Sequence, residues 1–208
     1  MNLYIFAGPN GSGKSTLITE FKKEKPTIPF IDVDKLHKKL LSEGIFANLP
    51  DIKEQYLFAM ECAEEVRNEF ISRRQSFGFK TVFSTDEKVE FLRRAKYIGY
   101  KVIGVFITTK SPEINKDRVA QRVKEGGHDV PPEKIESRYY KSCNNLQYLI
   151  ELSDELYVYD NSKDIPDKVY IHNDDCYWIN TNIDYEWMTK YLLPYIDAGH
   201  KILSGIVL

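Results

Sequence analysis

The sequence predicts an α/β fold with a mainly parallel sheet of five strands and helices packed against it. Two observations favour this class. Short apolar runs alternate along the chain with longer segments whose apolar residues recur at helical spacing. Polar or glycine-rich loops follow these runs, as expected where the carboxyl ends of parallel strands meet at one edge of a sheet. Right-handed helical crossovers would then connect the strands.

The composition is that of one globular domain. Of the 208 residues, 42% are hydrophobic and 29% are charged, and the net charge is -2. One domain spanning residues 1–208 is therefore expected, and the charge argues against long nucleic acid as a partner. The three cysteines lie far apart, and no apolar run approaches the roughly 20 residues that span a membrane. These features indicate a cytoplasmic protein without a membrane segment.

The first half of the chain supplies two predicted strands. Residues 3–7 form a short buried strand, and a glycine-rich loop leads from it into a helix over residues 14–23. Residues 30–31 form the second strand, which ends at the acidic segment 32–34. A long amphipathic helix over residues 52–71 follows.

The second half supplies the other three strands. Residues 81–83 are the third strand, and the helix after them ends at Gly99. The near-continuous apolar run 101–108 is typical of a central parallel strand that is buried on both faces. Residues 155–159 form the fifth strand.

Two further segments are predicted around this sheet. A lid over about residues 111–150 consists of two helices joined by the turn Gly126-Gly127-His128. A small C-terminal extension over about residues 163–208 contains a hairpin and a helix near residues 185–196.

The sequence Gly-Pro-Asn-Gly-Ser-Gly-Lys-Ser at residues 8–15 matches the pattern G-x-x-x-x-G-K-[ST] of a P-loop. It lies between a predicted strand and a predicted helix, as the motif requires, although a chance glycine-rich turn is the alternative. Glycines let backbone N–H groups surround an anion, and the helix amino terminus adds partial positive charge. The motif thus predicts a P-loop NTPase fold. Its predicted nucleotide-binding residues are Gly8, Pro9, Asn10, Gly11, Ser12, Gly13, Lys14, Ser15 and Thr16.

The expected cofactors are ATP or GTP together with Mg²⁺. Lys14 is predicted to reach the β- and γ-phosphates, and the Ser15 hydroxyl is predicted to be a ligand of Mg²⁺. Transfer to a hydroxyl acceptor also needs a base, for which Asp34 is preferred over Asp32. Alternatively, Asp32 caps the helix that begins near Lys35, or one of the two carboxylates holds Mg²⁺ through water.

Three arginines are candidates for stabilising the charge that develops during transfer. Arg118 and Arg122 lie four residues apart on one helix and share a face, and Arg138 lies on the next helix. For any one of them, the alternative is a solvated surface residue.

Several of these segments resemble the zeta toxin family. They are AGPNGSGKST, TVFST, RVAQRVKEGGHDVPPEKIESRYYKS and YDNS, and the resemblance covers roughly residues 3–162. It implies a P-loop kinase that uses ATP or GTP to phosphorylate the 3′-hydroxyl of a UDP-activated N-acetylated amino sugar, and it implies an antitoxin protein as a partner. Carried over by motif, Asp34 becomes the base, and Arg122 and Arg138, with Arg118 less directly, become lid arginines.

One position departs from the family pattern. Relatives commonly have Glu-Thr where this chain has Lys80-Thr81, and the resemblance implies that this glutamate helps to hold the sugar. An ammonium group only donates hydrogen bonds, so the acceptor can differ or activity can be lost. The residues predicted to contact the acceptor are Asp32, Lys80, Thr81 and Ser84. The alternative for Lys80 is a side chain that faces solvent.

Two other functions remain open from the sequence. One is a kinase for a different small-molecule or nucleic-acid hydroxyl, such as a nucleoside, a nucleic-acid end or a metabolite. The other is a switch that hydrolyses nucleotide slowly and signals through its lid.

Overall fold

The computed structural model describes residues 1–126, 129–173 and 176–196. Its strands are β1 (Asn2–Ala7), β2 (Phe30–Ile31), β3 (Phe77–Thr81), β4 (Lys101–Thr108), β5 (Glu155–Asp160), β6 (Asp167–His172) and β7 (Tyr177–Ile179). Its helices are α1 (Lys14–Glu24), α2 (Val33–Ser42), α3 (Ile52–Ser72), α4 (Asp86–Ile98), α5 (Pro112–Lys124), α6 (Pro132–Leu152) and α7 (Glu186–Tyr191), and a short 3₁₀ helix spans Leu193–Tyr195.

Within the described residues, the strands form one 7-stranded sheet in the order β2-β3-β1-β4-β5-β6-β7. Strands β1 to β5 pair in parallel, whereas β6 pairs antiparallel with both β5 and β7. The predicted α/β class with a mainly parallel sheet is confirmed. The sheet is larger than the five predicted strands because the C-terminal hairpin adds to its edge. The connection from β5 to β6 is too short for a helical crossover, so β6 must return antiparallel.

Helices cover both faces of the sheet. On one face, Ile18 of α1 packs with Tyr4, Phe6 and Ile107 of β1 and β4. On the other face, the larger part of the core includes buried residues of α3, α4, α6 and α7. Successive side chains of a strand point to opposite faces, so the central strands β1 and β4 are buried on both. No helix in the described ranges is long and apolar enough to cross a membrane.

Two predicted boundaries differ from the structure. The third strand lies at Phe77–Thr81 and not at residues 81–83, because Phe83 has a φ of 57°, in the left-handed region that a strand does not use. The C-terminal helix α7 ends at Tyr191, and the chain continues into the 3₁₀ helix that contains Pro194. Of the predicted lid turn, Gly127 and His128 lie outside the described residues.

Candidate active site

The glycine-rich loop joins the end of β1 to the start of α1, as the sequence predicts. Gly8, Gly11 and Gly13 have φ values of 139°, 74° and 94°. A Cβ atom on Gly13 would lie 2.1 Å from the Asn161 side-chain nitrogen, and one on Gly8 would lie 1.9 Å from the Ile107 carbonyl oxygen. The backbone conformation and the close neighbours therefore both require glycine at these two positions.

Three polar side chains outside the motif hold this loop in place. The Asn161 amide donates to the Ser12 carbonyl at 2.9 Å, and the Asn115 amide donates to the Asn10 carbonyl. The buried Thr109 hydroxyl donates in turn to the Asn115 side-chain oxygen. Asn161 belongs to YDNS, one of the segments that resemble the zeta toxin family. No sequence pattern identified Asn115 or Thr109 as part of the site.

The amino terminus of α1 is open to an anion. Gly13 is the N-cap residue and provides no side-chain cap. The Thr16 N–H donates to the Gly13 carbonyl at 3.1 Å, which leaves the N–H groups of Lys14 and Ser15 for another acceptor. Ser15 and Thr16 follow at the exposed start of the helix. This cradle of glycines and amides fits a nucleotide phosphate, and the Ser15 hydroxyl is a hard oxygen ligand of the kind that Mg²⁺ prefers.

Lys14 folds back over the loop. Its ammonium donates to the carbonyl oxygens of Gly8 and Pro9, each at 2.7 Å. Burial, together with the positive charges of Lys80 and Arg122, lowers the pKa of Lys14 to about 7, and the Asp34 carboxylate opposes this shift. The direct contacts of this ammonium are neutral carbonyl oxygens. Phosphate oxygens would place negative charge next to it and so stabilise its charged form.

A cleft of about 300 Å³ lies beside the loop. Gly13, Thr16 and Leu17 line it at the loop and the start of α1, and Arg118 of α5 lines it as well. The Arg118 guanidinium donates to the Asn161 carbonyl at 2.7 Å, so α5 is tied to the end of β5 here. Its position next to the loop suits the remainder of a nucleotide whose phosphates occupy the loop.

Asp32 and Asp34 lie at the end of β2, at the same edge of the sheet. The Asp32 carboxylate accepts from the backbone N–H groups of Asp34 at 3.0 Å and Lys35 at 3.4 Å. Asp32 is thus the N-cap of α2, as the capping alternative predicted, and its side chain is only 8% exposed. The Asp34 side chain is 46% exposed. Of the two carboxylates, Asp34 is the one that an acceptor can reach.

Lys80 joins both carboxylates into one ion group. Its ammonium lies 2.9 Å from Asp32 Oδ1 and 2.6 Å from Asp34 Oδ2, and its side chain is 17% exposed. Burial alone would lower the pKa of Lys80, but attraction and hydrogen bonding to Asp34 and Asp32 raise it above its usual value. The solvent-facing alternative for Lys80 is therefore wrong.

The segment after β3 bends at Phe83, which lies between Thr81 and Ser84. The Phe83 N–H donates to the Thr81 hydroxyl at 2.9 Å, and the Asn145 amide donates to the Phe83 carbonyl at 3.2 Å. These bonds hold the buried Phe83 at its positive φ. A bulky residue in this conformation is uncommon and often marks a functional segment.

The three candidate arginines are not equally close to the loop. Arg118 lines the cleft. Arg122 lies near the end of α5, and its charge contributes to the low pKa of Lys14. Arg138 is half-buried on the second turn of α6, and no contact among the described residues joins it to Lys14. Their roles in transfer stay predictions.

The family profile of the zeta toxins matches residues 2–175. The chain belongs to the zeta toxin family. Among curated proteins, this zeta toxin family member is 29% identical over 135 residues to an uncharacterised protein of Haemophilus influenzae, a match that covers 65% of this chain and 90% of the relative. The family and the P-loop together make the chain a nucleotide-using P-loop phosphotransferase.

Two solved structures are similar in fold. The AvrRxo1-ORF1:-ORF2 complex with ATP is 16% identical with a TM-score of 0.72, and the match covers 95% of this chain and 65% of that one. The PezAT chromosomal toxin-antitoxin system of Streptococcus pneumoniae is 19% identical with a TM-score of 0.63, and the match covers 82% of this chain and 70% of that one. At these identities, the likeness supports the fold alone.

The Lys80 ion group leads to a prediction for this zeta toxin family member. Lys80→Met removes the ammonium that contacts both carboxylates, so the pKa of Asp34 is expected to rise. If Asp34 is the base, the acid limb of the pH–rate profile then moves to higher pH. Formation of product nucleotide from about pH 4.5 to about pH 8 measures the shift.

The matched control for this measurement is Lys53→Met, at an exposed lysine of α3. Its acid limb is expected to coincide with that of the unaltered protein. An unchanged acid limb in Lys80→Met would contradict the proposed influence of Lys80 on Asp34.

Proposed function

We propose that the chain is a kinase that transfers the terminal phosphoryl group of ATP or GTP, with Mg²⁺, to a hydroxyl of a UDP-N-acetyl amino sugar. The observation that carries this proposal is the exposed Asp34 carboxylate at the sheet edge that also holds the P-loop, paired with Lys80 at 2.6 Å. Membership of the zeta toxin family supports the choice of acceptor.

In the proposed reaction, the N–H groups of the loop hold the phosphates, and Lys14 exchanges its carbonyl partners for the β- and γ-phosphate oxygens. Mg²⁺ held through Ser15 would neutralise charge on the phosphates when bound. Asp34 accepts the proton of the acceptor hydroxyl. The hydroxyl oxygen forms a bond to the γ-phosphorus as the bond to the β-phosphate oxygen breaks, which leaves the nucleoside diphosphate.

The arginines and the lid have proposed parts in this reaction. Arg122 and Arg138 would approach the transferred phosphoryl group when the lid over about residues 111–150 closes. Arg118 would contact the nucleotide bound in the cleft beside the loop. Arg122 already influences the charge state of Lys14, which supports its assignment.

Three broader assignments accompany the proposed activity. We take residues 1–208 as one P-loop kinase domain, with a lid over about residues 111–150 and a C-terminal extension over about residues 163–208. A protein antitoxin is the proposed partner, supported by the family and by the toxin-antitoxin description of the PezAT relative. The cytoplasm, where cysteines stay reduced, is the proposed location.

A second acceptor class is favoured by Lys80. Its ammonium stands at the end of β3, where the family pattern has a carboxylate that accepts hydrogen bonds from the sugar. The Lys80 ammonium is paired with both carboxylates, so this hydrogen-bond acceptor for the sugar is missing, and a nucleoside, a nucleic-acid end or another metabolite is the second candidate acceptor.

The proposed activity is tested with γ-labelled ATP or GTP, Mg²⁺ and a panel of acceptors. The panel contains UDP-N-acetylglucosamine, the analogue of it that lacks the sugar 3-hydroxyl, nucleosides and oligonucleotides. Label is expected in UDP-N-acetylglucosamine and not in the analogue. Label in another acceptor would replace the proposed substrate. Release of inorganic phosphate alone, with every acceptor unlabelled, would contradict the kinase assignment.

A further inference from the structure

A second, larger cavity lies on the α4 and α6 side of the sheet. Its volume is about 720 Å³, which is within the range of small-molecule sites. Ser84 and Asp86 line it at the start of α4, Tyr140 and Lys141 line it on α6, and Lys190 and Tyr191 line it on α7. We call this cavity the α7 groove. Residues 190 and 191 lie beyond the segment that matches the zeta toxin family, residues 2–175.

The charges in the α7 groove favour an anion. Lys141 and Lys190 bring two ammonium groups to it, against the single carboxylate of Asp86. Within the described ranges, neither lysine forms a salt bridge of 4.0 Å or less. Lys141 is therefore open to a ligand, whereas the Lys190 ammonium contacts Tyr191 and is attracted by Glu186, so it would exchange these contacts for a ligand. Phosphate oxygens are the acceptors that such groups commonly bind.

Aromatic rings line the same cavity. Tyr140 is 44% exposed, so part of its ring is open to a ligand. Tyr191 is the second ring, and the Lys190 ammonium lies 5.2 Å from its centroid. An exposed tyrosine beside lysines can stack on a planar base while the lysines hold phosphates.

One wall of the α7 groove lies close to the candidate catalytic group. Ser84, in its wall, lies three residues beyond Thr81, the last residue of β3, and Thr81 pairs with Ala7 directly before the P-loop. Three residues of extended chain span at most about 10 Å. Ser84 therefore lies within about 10 Å of Thr81, the neighbour of Lys80 at the sheet edge that also carries Asp34.

We propose that the α7 groove binds a nucleoside diphosphate group of the phosphoryl acceptor and that α7 completes this site with Lys190 and Tyr191. The inference rests on the proposed kinase function and assigns the part of the chain that recognises the acceptor. Lys141 and Lys190 hold the diphosphate, and the tyrosine rings stack against the base. The hydroxyl-bearing part of the acceptor then extends past Ser84 toward Asp34.

Calorimetric binding of UDP tests the proposal without any need for turnover. The full chain is first saturated with Mg²⁺ and a non-hydrolysable ATP analogue, so that UDP cannot occupy the P-loop. The double variant Lys141→Gln and Lys190→Gln is expected to bind UDP at least about tenfold more weakly. Lys168→Gln, at an exposed lysine of β6, is the matched control and should bind UDP as the unaltered chain does.

A second pair of variants tests the stacking contact. Tyr140→Leu removes a ring from the α7 groove, and Tyr97→Leu removes one that is 94% exposed on α4, away from it. UDP binding is expected to weaken about 5-fold or more in Tyr140→Leu only. Circular dichroism and binding of the ATP analogue confirm that each variant is folded.

The outcomes separate this proposal from the kinase assignment. Equal UDP affinity in the double lysine variant and the control would overturn the α7 groove as the site, as would failure of the unaltered chain to bind UDP. If UDP binds and the variants weaken it, but no acceptor is ever phosphorylated, the groove stands and the proposed transfer fails.

Discussion

Replacing Lys14 by methionine is expected to lower phosphoryl transfer by at least about 10²- to 10³-fold and to weaken nucleotide binding. Methionine keeps an apolar stem of similar length beside the loop but removes the only ammonium that reaches the Gly8 and Pro9 carbonyls among the described side chains. The charge that bridges the β- and γ-phosphates is then absent. Transfer of label from γ-labelled nucleotide and calorimetric nucleotide affinity measure the two effects.

A lysine of the same helix provides the control for this substitution. Lys23 lies on α1, is exposed, and pairs with Glu20 at 2.8 Å. Lys23→Met should retain transfer and nucleotide affinity close to those of the unaltered chain, because exposed ion pairs contribute little. Undiminished transfer in Lys14→Met would contradict the assignment of the loop as the phosphate site.

The pKa of Lys14 provides an independent readout. In the free protein it is lowered to about 7, mainly by burial. Bound phosphates favour the ammonium form, so the pKa should rise on binding and the protein should take up a proton above about pH 7. Nucleotide affinity is thus expected to be full below this value and to fall as the pH rises through it. Lys14→Met should lack this dependence, and a flat affinity from about pH 7.5 to about pH 8.5 in the unaltered chain would contradict it.

The parts of the site that are local in sequence could be predicted from the sequence. The loop at residues 8–15 and the strand at residues 101–108 follow from short patterns, because a phosphate loop and a fully buried strand each need particular residue types in a row. The third strand was misplaced by four residues at its start because Phe83 looks like a strand residue. Only its N–H bond to the Thr81 hydroxyl, the Asn145 amide bond to its carbonyl and its positive φ show that the chain bends there.

Contacts between distant segments could not be predicted. Lys80 and Asp34 are 46 residues apart, and no sequence pattern indicates that β2 and β3 are neighbouring strands whose ends lie side by side. The same holds for Asn115, which reaches the loop across 105 residues, and for α7, which reaches the wall of the cavity beside Ser84. Such pairs depend on the strand order, and composition and periodicity do not determine that order.

The ion group at the sheet edge leads to a prediction that separates its two carboxylates. Asp34→Asn is expected to lower transfer by about 10²- to 10⁴-fold, the usual contribution of a general base. Its nucleotide affinity should change by less than about twofold, because the phosphates are held by the loop and Lys14. Asparagine retains an oxygen that can accept from Lys80, whose ammonium lies 2.6 Å from Asp34 Oδ2, so the geometry is preserved while proton acceptance is lost.

Asp32→Asn is the matched control, since Asp32 contacts the same ammonium at 2.9 Å. Asparagine is as good an N-cap as aspartate, so α2 should keep its bonds to the N–H groups of Asp34 and Lys35. Transfer is expected to fall less than about tenfold in this variant, because the 8% exposed Asp32 carboxylate is shielded from an acceptor. If Asp32→Asn loses transfer and Asp34→Asn retains it, the base is Asp32. If neither variant loses transfer, the acceptor hydroxyl gives up its proton without a carboxylate of this group.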